Sequence, residues 1–329
     1  MDPVNIDQLS AVDDPLTITN PLAGARVAVP MEVVVEERRL LWRIDDDDRS
    51  GELRGFDLGG PANGTLWNFI RLCNAAPTGF ADFASRYGVL AIRTDGLPAT
   101  SEVKDPGINL FPPFEMRNGQ YWYVEDVEVW RSFAFGLKAI IVLAHEIRES
   151  PDSSPFEILA RYGLNKLTWE TFGLPSFNEE EMSPHYWIWM RFLSPNFVAH
   201  NVERLDPEHR RAWIASFISR TWVLYASLTP VIRWENGIAH MHLSLGTGDE
   251  GILPENSLFS ILGAQLAAFV TSPRLERMAV CSKCGEVHEA LVRPGRHTNN
   301  YCSEYCKAAG KRDRNREWAH RKALEKMSD

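Results

Sequence analysis

The strongest hydrophobic pattern lies in the middle of the chain. Val127, Trp130, Ala134, Leu137, Ile141 and Ala144 recur at three- and four-residue steps, the spacing that lines one face of an α-helix. This predicts a helix over residues 124–149, closed off by Pro151, because a proline pushes the residue before it out of the helical region. Shorter periodic stretches predict helices over 65–75, 80–87, 155–161, 184–193, 207–228 and 254–270. Pro77 and Gly79 divide the first two, and Asp206 and Pro207 open the helix that follows them as N-cap and first residue. Apolar, β-branched runs at 27–35 and 38–44 predict one β-hairpin. A second is predicted at 231–234 and 239–245, around the turn residues Glu235, Asn236 and Gly237. Residues 1–25 and the Pro/Gly-rich stretch 94–119 read as irregular. The fold class expected is α+β: a mainly helical domain with two small hairpins over residues 1–273, able to fold alone, then a separate unit over 274–329 beyond Ser272-Pro273.

That second unit carries the one sharp motif. Cys281-Ser-Lys-Cys284 is followed by Cys302-Ser-Glu-Tyr-Cys306. Two thiolates on a tight turn, with Gly285 behind them, form a metal knuckle. Cysteines four apart share one face of a helix beginning near Ser303. Between the pairs, residues 286–292 and 297–301 can form a hairpin turning at residues 293–296. Knuckle, hairpin and helix in this order predict a treble-clef zinc finger holding one structural Zn²⁺ on Cys281, Cys284, Cys302 and Cys306. Four thiolates close the tetrahedron, so His288 and His297 are not needed as ligands. The net −2 charge of a Cys₄ zinc site calls for nearby cations, and Lys283, Arg293, Arg296 and Lys307 are near in sequence.

Charge sharpens the picture of the tail. Residues 274–329 hold thirteen Lys+Arg and eight Asp+Glu, a balance of +5, against −14 for the rest of a chain whose net charge is −9. On a helical wheel Lys307, Lys311, Arg314, Trp318, Arg321 and Lys322 fall within about 60° of one another. Arg312 and Arg316 form a second row, and the cysteines lie opposite. A basic stripe facing away from the metal suits the phosphates of DNA, and equally of RNA. The same stripe also suits an acidic protein partner, in which case the zinc serves only to fold an interaction module.

Composition narrows the class. Apolar residues at 44% and charged residues at 24% belong to globular chains. No run of about 18 apolar residues occurs, and Met1-Asp2-Pro3 does not open a signal peptide, so a cytoplasmic protein away from membranes is expected. The five cysteines do not make a secreted disulfide framework. Weaker signals read as structure. Asp45–Asp48 lacks the glycine and distal glutamate of a calcium loop. His240 and His242 share a strand face without a third ligand, and His145-Glu146 lacks the second histidine of a zinc protease helix. The aromatic run from Tyr186 to Met190 reads as a buried helix. No phosphate loop or catalytic dyad is evident, and no enzyme is expected. A treble-clef nuclease is the remaining alternative, with His288, Asn299, Asn300 and His320 its only ingredients.

The order of elements is itself informative. A hairpin leads to an aromatic helix with Phe80, Phe83, Tyr87 and Gly88, then to a helical middle, a second hairpin and an apolar helix. The stretch Thr271-Ser-Pro-Arg-Leu-Glu-Arg-Met278 and the cysteine cluster follow. This order resembles bacterial proteins that join an ABATE-type domain to a CGNR-type zinc finger, thought to be stress-linked transcription regulators. Where that family reads Cys-Gly-Asn-Arg, this chain has Cys306-Lys-Ala-Ala, so only zinc ligation by the four cysteines carries over. The resemblance implies that residues 1–273 sense a small molecule or a protein partner.

Overall fold

The computed structural model describes residues 26–43, 53–55, 65–90, 114–164, 195–223, 228–235, 238–245, 258–271, 273–290, 293–294 and 299–328. The predicted helix 184–193 with its aromatic run, Asp45–Asp48, and the Asn236-Gly237 turn lie outside them.

The expected first hairpin is present as β2 (Glu32–Glu36) and β3 (Arg39–Arg43), turning at Glu37, whose φ is 56°. It is half of a larger sheet. Strands β5 (Phe114–Arg117) and β6 (Gln120–Asp126) join it in the antiparallel order β2-β3-β6-β5. Residues 114–117 therefore leave the expected irregular stretch and become an edge strand. The signal was available: Asn118 and Gly119 both have positive φ, 49° and 78°, which the tight hairpin turn demands and Asn-Gly supplies. Trp122 and Val124 alternate with Tyr121 and Tyr123, so the strand period continues to Asp126 and the long helix starts three residues later than the apolar spacing suggested. Three further antiparallel pairs occur: β1 (Arg26–Ala28) with β4 (Leu53–Gly55), β7 (Leu228–Glu235) with β8 (Ile238–Leu245), and β9 (Met278–Val280) with β10 (Val287–Glu289). The β content thus exceeds the two hairpins read from the sequence.

Eight α-helices lie among the described residues: α1 (Thr65–Ile70), α2 (Pro77–Tyr87), α3 (Val127–Glu149), α4 (Pro155–Arg161), α5 (Pro195–Glu203), α6 (Pro207–Ile218), α7 (Leu258–Thr271) and α8 (Glu304–Ser328). Asp126 ends β6 and caps α3, its carboxylate accepting the Glu128 N–H at 2.6 Å. Helix α3 is the spine of the fold. It is buried nearly all round, from Val127 to Ile147, and the one charged residue in that buried set is Lys138. Trp130 meets Phe69, Phe80 and Phe83, while Phe133 meets Trp222 and Phe259 edge-on. Arg131 ties the turn after α1 to this spine by donating to the carbonyls of Cys73 and Ala75. Helix α6 does not run to residue 228. A π turn takes over at Ser219–Val223, where the Ser219 and Thr221 hydroxyls bond back to the carbonyls of Ala215 and Phe217, a competition that loosens the helical ladder. Among the described residues no helix is long and apolar enough to cross a membrane.

The sheet is joined to α3 by a buried carboxylate. Glu125 accepts the indole N–H of Trp42 at 3.0 Å and of Trp130 at 2.5 Å, linking β3, β6 and the first turns of α3 at a site almost without solvent. Glu125→Gln keeps the shape but offers one acceptor oxygen in place of two, so one indole N–H faces an amide. The expected loss is about 2 kcal/mol of stability, read as a lower urea midpoint at unchanged slope. An unchanged midpoint would show that the two indoles do not depend on this carboxylate.

Candidate metal centre

Local backbone geometry gathers the four cysteines. Strands β9 and β10 bracket the first pair: the Cys281 N–H donates to the Glu286 carbonyl at 2.8 Å, and the Gly285 N–H to the Cys281 carbonyl at 2.9 Å. Gly285 sits at φ +73° with open space around its Cα, so it is glycine for the backbone conformation alone. The second pair approaches through residues 299–303. The Ser282 N–H donates to the Asn300 carbonyl, and Asn300 N–H returns the bond to the Ser282 hydroxyl. Helix α8 then starts at Glu304 with the Ser303 hydroxyl accepting the Cys306 N–H at 3.2 Å, as an N-cap serine does.

The sulfurs of Cys281, Cys284, Cys302 and Cys306 all lie within 4.8 Å of one another. Cys302 Sγ is 3.6 Å from both Cys284 Sγ and Cys306 Sγ. Four sulfurs placed tetrahedrally about a metal at ~2.3 Å stand about 3.8 Å apart, so the donor set fits a single tetrahedral thiophilic ion. The four are held as free cysteines, and Cys73, also reduced, is buried far along the sequence in the body. Burial pushes the Cys284 thiol up, and it pushes Cys302 up to about 12, with the neighbouring sulfurs adding to the effect. Cys281 goes the other way. Burial opposes its ionisation, yet the backbone N–H groups of Cys302, Cys284 and Lys283 outweigh that and bring it down to about 6.

The expected counter-charges are placed elsewhere. Lys283 pairs with Asp313 two turns along α8 from Cys306, Arg293 reaches Glu149 and Glu276, and Lys307 pairs with Glu304, while Arg296 lies outside the described residues. Backbone amides aimed at the sulfurs supply the compensation instead. Val287–Glu289 pairs with Met278–Val280, and residues 291–292 and 295–298 of the expected internal hairpin lie outside the described residues. His288 is buried on β10. His145 is used structurally, its Nδ1 lying 2.9 Å from the Leu275 carbonyl. The neighbouring Glu146 accepts from Arg161 and Tyr162.

Cys306, Ala309 and Gly310 form the buried face of α8. A Cβ on Gly310 would stand 2.7 Å from the ring of Tyr301, so the glycine in the helix interior admits that ring. Arg314, one turn further, donates to the Tyr301 phenol and lies 5.9 Å over its ring. It is therefore occupied by the finger, although the wheel groups it with the outward stripe. Lys307, Lys311, Arg312, Arg316 and Lys322 are exposed. Trp318 is also exposed, and the Lys322 ammonium lies 4.4 Å from its ring centre. Arg321 is placed on the same helix. Among the described residues, Lys311, Arg312 and Arg316 have no acidic partner in an ion pair. Comparison with known proteins gives no match, whether against family models, curated proteins or solved structures.

Loading this centre must expel the protons of Cys284 and Cys302, whereas Cys281 is a thiolate above about pH 6. Zn²⁺ titrated into the metal-free chain should therefore bind at least a hundredfold more tightly for each unit of pH gained between roughly pH 6 and 8. Competition with a chromophoric chelator measures this, and affinity independent of pH would mean that the thiols are not the ligands. Replacing Cys302 and Cys306 together with serine should abolish binding.

Proposed function

We propose that the chain is a zinc-finger nucleic-acid-binding protein, a bacterial DNA-binding transcription regulator of the ABATE/CGNR kind. One structural Zn²⁺ on Cys281, Cys284, Cys302 and Cys306 folds a treble-clef finger, and α8 carries the nucleic-acid contacts. The observation that carries this reading is the exposed row Lys311, Arg312 and Arg316 on a helix whose root is fixed by two of the four sulfurs. Cations that no ion pair ties down are available to phosphates, and DNA backbone contacts of this kind set register and orientation. Lys307 and Lys322 extend the row. Arg321 adds a further cation on the same helix, and Arg314 joins by exchanging its Tyr301 contact for a phosphate. With four thiolates filling the tetrahedron, the metal has no open position for catalysis. On this reading residues 1–273 receive a small-molecule or protein signal, and the protein works in the cytoplasm.

Trp318 favours a second reading, in which α8 docks on an acidic protein. A tryptophan more than half exposed beside a lysine is the type of anchor that protein interfaces use.

Salt separates the two. If about four to six cations meet phosphates, log K for a random duplex should fall with log salt at a slope near −4 to −5. Lys311→Ala, Arg312→Ala and Arg316→Ala combined should weaken every sequence alike and reduce that slope by about 3, with metal content unchanged. Unchanged duplex binding in this variant, or a slope near zero, would transfer the argument to the protein partner.

A further inference from the structure

Helix α3 has one face given over to the root of the metal centre. Lys138, His145 and Glu149 lie seven and eleven residues apart, hence on one side of the helix. They reach Glu286, Leu275 and Arg293 respectively. Arg148 adds an ion pair to Glu276. Apolar packing follows the same path, with Leu275, Met278 and Val287 entering the core that holds Trp130 and Phe133.

The contact with the greatest consequence is Lys138 with Glu286. The Lys138 side chain is 6% exposed, and its ammonium donates to Glu286 Oε2 at 3.1 Å. The other carboxylate oxygen, Oε1, accepts the Asn74 amide at 2.8 Å. Glu286 is two residues beyond the ligand Cys284, and its own carbonyl accepts the N–H of the ligand Cys281. One residue therefore closes the metal knuckle with its backbone and neutralises a buried cation of the body with its side chain. A metal that fixes Cys281 and Cys284 fixes Glu286 between them. A knuckle without it has two reduced cysteines and a left-handed glycine turn to hold that carboxylate in place.

We propose that metal occupancy of the four-cysteine centre is transmitted to the body through Glu286 and Lys138, so that the finger's metal state regulates the stability of α3 and its surroundings. This rests on the metal reading of the centre. When the knuckle loosens, a buried ammonium loses its partner, which is strongly unfavourable. The coupling is reciprocal: what stabilises the body around Lys138 also tightens metal binding. The chain thereby contains a metal-sensitive link between its C-terminal unit and the domain that would receive a signal.

Ten of the eleven tryptophans precede residue 274, so tryptophan emission of the full chain reports the body. Thermal unfolding is followed in the zinc-loaded chain and after removal of zinc by a chelator, with metal content measured in each sample. The expected fall on stripping is roughly 5–10 °C. In Lys138→Met the fall should shrink to about half or less, and zinc transfer to a chromophoric chelator should be on the order of tenfold faster. Glu286→Gln, which leaves all four ligands in place, should hold zinc yet unfold near the stripped wild-type temperature, and it serves if Lys138→Met does not fold. A wild-type chain that demonstrably loses zinc and unfolds at the same temperature overturns the coupling alone, as does an equal fall in wild type and Lys138→Met. A chain that takes up no zinc overturns the reading of the centre itself.

Discussion

Bringing four cysteine sulfurs within 4.8 Å of one another is the constraint around which the C-terminal region is organised. Sulfurs so close repel once ionised and are poorly solvated when not. The chain answers with geometry: a knuckle closed by Cys281 and Glu286, a left-handed Gly285, a serine cap on α8 and a pair of bonds between Ser282 and Asn300. Cys281 shows the result most clearly, since three amides aimed at one sulfur overcome its burial. The same knuckle continues into β10, whose Val287 enters the body's core, so the four-cysteine cluster is tied directly to that core.

The other organising element is α3, which answers to two sets of partners. Its N-terminal half meets the sheet and the α1–α2 aromatics through Trp130 and Glu125. Its C-terminal half turns Lys138, His145, Arg148 and Glu149 toward residues 275–293. An apolar helix buried on most sides can present charged groups only where another part of the chain supplies matching polar atoms. The positions of those charges therefore mark the path of the C-terminal segment across the body.

The sequence made some of this legible and concealed the rest for physical reasons. The four sulfurs, the helix start at Ser303 and the central apolar helix follow from short-range spacing, which covalent geometry enforces. Strand β5 was missed because its four residues, Phe-Glu-Met-Arg, make too short an alternation to stand out after Pro112-Pro113, although the Asn118-Gly119 turn announced it. The partners of Lys283 and Arg293 were misjudged because proximity in sequence to a cysteine says nothing about longer-range acids such as Asp313, Glu149 and Glu276, while Lys307 is taken by Glu304 three residues before it. Glycine weakens a helix interior, and the ring that needs the missing side chain of Gly310 belongs to Tyr301, nine residues earlier and outside the helix.

Helix α8 has 25 residues and is therefore about 37 Å long. Among the described side chains the buried ones of this helix are Cys306, Ala309 and Gly310, and Asp313 and Arg314 are the furthest along it to contact residues before the helix. Roughly 20 Å of helix extends past that point. Mechanically the root of the helix is a clamp, with Tyr301 wedged against Gly310 acting as the shim that sets its angle. A small rotation at the clamp moves the far end several times further than the near end. The aim of the outer cations is thus decided by a tyrosine ring, a glycine and a sulfur at the opposite end of the rod.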